Sequence, residues 1–128
     1  MIPEGLRYHT EHEWIREDNQ TAELGITHFA QDALGDVVYL ELPKIGAEVR
    51  SGEEIGEVES TKTTSAIYTP VSGKILAVNE DLKEKPELVN QDPYGKGWIV
   101  KIRMSDPSEV KRLMDARQYG AYLKEKAD

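Results

Sequence analysis

Short apolar runs of period two, broken every few residues by glycine or proline, constrain this chain more than any other feature of its sequence. Residues 36–42 alternate, which predicts a strand with Val38, Leu40 and Leu42 on one face and Val37, Tyr39 and Glu41 on the other. Residues 98–104 alternate more cleanly, with Trp98, Val100, Ile102 and Met104 together and Ile99, Lys101 and Arg103 opposite. Further strand-like runs fall at 22–26, 54–60, 63–68 and 73–78, with Gly35, Pro43, Gly46, Gly52, Pro70 and Gly73 between them. Many short strands with frequent turns imply a mainly β fold, a small sandwich or barrel. A chain of 128 residues buries roughly two-thirds of its unfolded surface, enough for one core, so residues 1–128 are expected to form a single domain.

Two stretches depart from that pattern. Thr27 can cap a short helix near residues 27–34, with Phe29, Ala30, Ala33 and Leu34 inward and Gly35 as its stop. Near the C-terminus, Asp106, Pro107 and Glu109 read as N-cap, first-turn proline and third-position acid, followed by an apolar stripe of Val110, Leu113 and Met114. Asp115 can cap a second helix with Tyr119, Tyr122 and Leu123 on one face. Residues 105–128 are expected to pack on the sheets through these stripes. Pro43 with Gly46 and Pro70 with Gly73 repeat one spacing, but that spacing is common near turns.

Charge narrows the function classes. Sixteen Lys and Arg against 24 Asp and Glu give a net charge of −8. The chain shows no basic cluster suited to phosphate or to anionic lipid, so neither nucleic acid nor a membrane surface is an expected partner. No apolar run is long enough to span a bilayer, and neither a signal peptide nor an Arg-rich transit sequence is visible, Glu4 arguing against the latter; the expectation is a cytoplasmic protein. The absence of cysteine excludes disulfides, thiolate–zinc sites and cysteine nucleophiles. His9 and His12, flanked by Glu11 and Glu13, suggest a metal cluster, but residues three apart on a strand face opposite sides, and no metal site is expected. No Gly-x-Ser-x-Gly elbow supports a hydrolase.

The informative stretch is residues 56–73, GEVESTKTTSAIYTPVSG. Two β-prone segments flank Lys62, whose neighbours are small hydroxyl residues able to bond their own backbone and support a tight turn. A lysine there is exposed, with a mobile end on a rigid base, which is what a long covalently attached arm requires. An ordinary solvated lysine satisfies the same pattern.

That stretch resembles the lipoylation segment of the glycine cleavage system H-protein family. The likeness continues through residues 6–14 (LRYHTEHEW), 25–38 (GITHFAQDALGDVV), 86–98 (PELVNQDPYGKGW) and 115–119 (DARQY), so it covers essentially the whole chain in order. It implies the barrel-sandwich hybrid of lipoyl and biotinyl carriers, with added helices. It implies lipoic acid, held as an amide on Lys62, and a carrier rather than an enzyme, with no catalytic residues of its own. The arm of such a carrier takes an aminomethyl group from a pyridoxal-phosphate glycine decarboxylase to a tetrahydrofolate-dependent aminomethyltransferase. A flavin-containing dihydrolipoyl dehydrogenase then reoxidises it, so the protein serves glycine catabolism and one-carbon metabolism as a monomer. Lipoate attachment enzymes are implied as well, with Glu59 and Gly73 at the positions they recognise, Gly73 by permitting a backbone turn. Glu13 is the implied contact for the amine of the loaded arm, with Glu11 and His12 beside it; a plain outward residue on an edge strand fits the pattern equally.

Two positions depart from the family pattern. Thr61 stands where valine is usual, a nearly isosteric and β-prone change. Ala66 stands where aspartate is common, which removes a carboxylate from the arm's surroundings. A biotin carrier usually has methionine on both sides of the lysine, whereas Thr61 and Thr63 flank Lys62. A lipoyl domain of a 2-oxoacid dehydrogenase usually shows Asp-Lys-Ala and lacks the terminal extensions. A lipoyl-relay carrier, handing lipoate to other proteins, matches the sequence as well as the glycine cleavage role does.

Overall fold

The computed structural model describes residues 2–127; Met1 and Asp128, the ends of the expected domain, lie outside the described residues. Among the described residues, nine strands form two antiparallel sheets. The larger runs β1-β2-β3-β9-β8-β5, built from Arg7–Tyr8, Glu13–Asp18, Thr21–Ile26, Val100–Met104, Gly73–Val78 and Glu48–Val49. The smaller runs β4-β6-β7, from Val37–Glu41, Glu54–Ser60 and Thr64–Tyr68. The helices are α1 (His28–Leu34), α2 (Leu88–Gln91) and α3 (Ala116–Ala127), with 3₁₀ turns at Glu80–Lys83 and Pro107–Arg112. The expected mainly β sandwich with a helix after Thr27 and a helical C-terminus is what the chain forms.

The main core is the contact between the sheets. Ile15, Leu24, Ile75 and Ile102 from the larger sheet meet Val37, Leu40, Val58 and Ile67 from the smaller. A second cluster lies under the terminal segments, where Ala116 and Tyr119 of α3 cover Leu6, Tyr8 and Trp14. Tyr8 and Met114 exchange backbone hydrogen bonds of 2.8 and 3.0 Å, which closes the outer edge of β1.

Four local expectations give way to tertiary structure. A bulge shifts the β4–β6 register between Val37 and Tyr39, so Val37 and Leu40 are buried while Val38 is 47% and Tyr39 57% exposed. Ile99, expected to point away from the core, is fully buried just before β9. On α1 Leu34 and Ala30 pack on the core as expected and Gln31 is buried with them, while Phe29 and Ala33 are exposed on the wall of a surface groove. After Asp106 the chain makes a 3₁₀ turn, and Glu109 does not close a capping box. Its carboxylate reaches back to Ser72, accepting from the backbone N–H at 2.7 Å and from the hydroxyl at 2.9 Å. The Asp115 expectation holds in full: Asp115 Oδ1 accepts from Gln118 N–H, and Gln118 Oε1 from Asp115 N–H.

Candidate functional site

The β6–β7 hairpin pairs Glu59 with Thr64, leaving residues 60–63 as its tip. Ser60 builds that turn. Its backbone N–H bonds Thr63 O at 2.8 Å, and its hydroxyl oxygen accepts from the N–H groups of Lys62 and Thr63 at 3.2 and 3.1 Å and donates to Thr63 O at 3.1 Å. Thr61 N–H bonds Asp36 O at 3.0 Å, tying the tip to the segment after α1. Lys62 is exposed, and its stem lies over Gly35, where a Cβ would stand 3.5 Å from Lys62 Cε. Gly35 has φ +82°, the left-handed stop expected of it.

A second layer fixes this shelf. Asn90, at the end of α2, accepts from Val37 N–H at 2.9 Å and donates to Gln31 Oε1 at 2.9 Å and to Gly35 O at 2.8 Å. One side chain thus joins α1, its stop and the start of β4 directly beneath the lysine. Sequence reasoning did not single it out, since its partners lie more than fifty positions away and no periodicity marks it.

Beside the tip runs a groove of ≈ 310 Å³. Its walls are Phe29, Ala30, Ala33 and Leu34 from one side and Thr63, Thr64 and Ser65 from the other; Glu11 and His12 line it as well. A largely apolar groove next to an exposed lysine, with the Glu11 carboxylate on its wall, can take a long apolar arm with a cationic end.

The other predicted residues are distributed unevenly. Glu59 is exposed on the hairpin, three residues before Lys62. Gly73 lies past the far end of β7, roughly 17 Å of strand from the tip at the usual rise. It opens β8 rather than a turn, and its requirement is steric: a Cβ there would stand 2.0 Å from Arg103 O. Glu13 is not an outward edge residue. It is 1% exposed on β2, whose two flanks are β1 and β3. Its Oε2 accepts from Tyr68 N–H at 3.0 Å, and Oε1 meets His9 Nδ1 at 2.9 Å. Burial raises its carboxyl above the ordinary range, against the opposing pull of those two bonds.

The paired histidines part company. His9 faces Glu13, while His12 bonds Tyr119 Oη at 2.8 Å and stacks obliquely on Phe29 with ring centres 4.7 Å apart. Tyr119 Oη also meets Thr27 Oγ1, the cap of α1, at 2.8 Å. The groove wall is therefore held from α3, a link that the sequence showed only as an apolar stripe.

Comparison with known proteins gives a consistent result. Residues 6–126 match the family described as Glycine cleavage H-protein. The chain is 52% identical over 124 residues to the glycine cleavage system H protein of Symbiobacterium thermophilum, covering 97% of each chain. It is 51% identical over 118 residues to that of Bacillus subtilis, covering 92% of this chain and 93% of the relative. Among solved structures, a glycine cleavage system H protein from Mycobacterium marinum superposes with a TM-score of 0.87 at 36% identity, over 99% of this chain and 100% of the other.

Proposed function

This chain belongs to the glycine cleavage H-protein family, and on that premise we propose that Lys62 is the residue that carries its lipoyl arm. The protein is a carrier of the glycine cleavage system and not itself a catalyst. The observation that carries the assignment to Lys62 is its place on a tip braced by Ser60 and Asp36, exposed, with its stem on the glycine shelf and an apolar groove beside it.

When bound, lipoate supplies a cyclic disulfide able to accept and release an aminomethyl group. The chain supplies placement. The rigid hairpin fixes the root of the arm, and the groove walls shelter it from water. Glu13 is the proposed acceptor for the amine, which a carboxylate favours in its charged form. Glu59 is the proposed anionic contact for the attachment enzymes. Gly73 serves them indirectly, by letting the strand that follows the hairpin pass against Arg103.

The proposed partners are glycine decarboxylase, the tetrahydrofolate-dependent aminomethyltransferase, dihydrolipoyl dehydrogenase and lipoate attachment enzymes, visited by a single-domain monomer in the cytoplasm. A net charge of −8 suits transient docking to basic clefts. Among the described residues no helix is long and apolar enough to cross a membrane.

The test is the intact mass of the native chain and of Lys62→Ala after incubation with a lipoate–protein ligase, ATP and lipoic acid. One lipoyl amide on the native chain and none on the variant is expected. An unchanged native mass, with the ligase active on a control carrier, overturns the assignment.

A further inference from the structure

Glu13 is the only fully buried carboxylate among the described residues, and its two oxygens have different partners. Oε2 is held by the β7 backbone through Tyr68 N–H, which has no freedom to leave. Oε1 is held by the ring of His9, whose side chain remains 21% exposed and so connects the buried oxygen to the surface. His9 sits on a closed turn: its N–H bonds Glu13 O and its carbonyl accepts from His12 N–H, both at 2.9 Å. The same turn presents Glu11 and His12 to the groove beside Lys62. Glu13 follows that turn directly in the chain, and the partly exposed side chain that meets its Oε1 is His9.

We propose that His9 is a positioning residue, a resident counter-ion on Glu13 that the cationic end of a loaded arm displaces, so that His9 sets how firmly the arm docks. The proposal rests on Glu13 receiving the arm's amine, as argued above. With Oε2 committed to the backbone, imidazolium and ammonium compete for one oxygen. A protonated His9 makes a charge-assisted bond and competes well; a neutral ring competes poorly. The titratable groups around the pair are Glu11 and His12 on the same turn and Tyr119 from α3; β7 contributes the Tyr68 N–H. Ala66 adds no carboxylate that would blunt the competition.

The experiment uses the lipoylated chain, loaded from glycine by glycine decarboxylase and then isolated. Spontaneous loss of the aminomethyl group is followed by intact mass. In that loss the C–S bond breaks, and water and the arm give the free thiol, formaldehyde and ammonium. His9→Asn, which keeps a hydrogen-bond donor without the charge, is expected to slow the loss about fivefold. The ratio of the two rates cancels the ionisation of the amine itself. In a Glu13→Gln background His9→Asn is expected to change nothing. A ¹⁵N spectrum of the imidazoles gives a reading independent of turnover: the His9 Nδ1 signal shifts on loading in the native chain and stays fixed in Glu13→Gln.

A native chain that takes no lipoyl group overturns the carrier reading and this proposal with it. A chain that loads normally but loses the group equally fast with and without His9 overturns this proposal alone. So does an effect of His9→Asn that survives Glu13→Gln.

Discussion

His12 carries two features that rarely coincide in a non-glycine residue, a φ of +75° and a half-buried ring. Burial lowers its pKa from the ordinary 6.5, so the folded chain holds the ring neutral where the unfolded chain already takes up a proton. In that interval the unfolded state binds more protons, and stability therefore rises with pH. The contribution is complete above the unfolded value and is lost as pH falls below it. His12→Asn tolerates the left-handed backbone and does not titrate. Urea unfolding at about pH 7.5 and about pH 5.5 should show the native chain losing stability relative to this variant at the lower pH. A gap that does not change with pH would mean that the ring is not held neutral. Gly73 makes a simpler case. Gly73→Ala places a Cβ against Arg103 O and should lower stability by about 2–4 kcal/mol in the same assay. The sequence displays both residues, but it cannot display their reasons. The carbonyl that excludes a side chain at Gly73 is thirty positions away, and the backbone N–H of Tyr68 that meets the buried Glu13 carboxylate comes from the other sheet, fifty-five positions on.

The lysine hairpin is the element most fully legible in the sequence, because everything that shapes it is local. Ser60 is the centre of its hydrogen bonding, and its oxygen is buried beneath the tip. Ser60→Ala leaves the Lys62 and Thr63 N–H groups without that acceptor. It should cost about 1–3 kcal/mol and slow lipoylation of Lys62 by the ligase, both readable on one sample by thermal melting and intact mass. Unaltered lipoylation in a destabilised variant would show that the enzyme reads the lysine without needing its preset turn. Elements shaped by distant partners were legible in existence but not in detail. Alternation announces β4, yet the bulge that exposes Val38 and Tyr39 depends on the β6 register. Asp106 does open a helical turn, yet Glu109 bonds Ser72 instead of its own helix, because β8 brings that backbone N–H within reach.

At the scale of the molecule, Tyr119 connects the two ends of the chain to the groove. Its ring stacks on Tyr8 with centres 4.7 Å apart and planes 5° from parallel, while its hydroxyl joins His12 and Thr27. Burial pushes its phenol up to about 12, so the hydroxyl stays protonated across the working range and the link does not switch with pH. Thr27 in turn caps α1 and accepts from Gln31 N–H, and its own N–H bonds His12 O. Removing one oxygen from α3 should therefore loosen a helix on the other side of the groove. Tyr119→Phe keeps the stack and should cost about 1–2 kcal/mol through the unpaired groups that it leaves. Amide exchange at Thr27 and Gln31 is expected to quicken, more than ninety and nearly ninety positions away in sequence. Lipoylation of Lys62 should be unaffected, because the tip is held by Ser60 and Asp36 rather than by the cap of α1. Faster exchange with normal lipoylation would mean that α3 braces the arm's groove and not its root. Unchanged exchange at both amides would reduce the C-terminal helix to a cover for Tyr8 and Trp14.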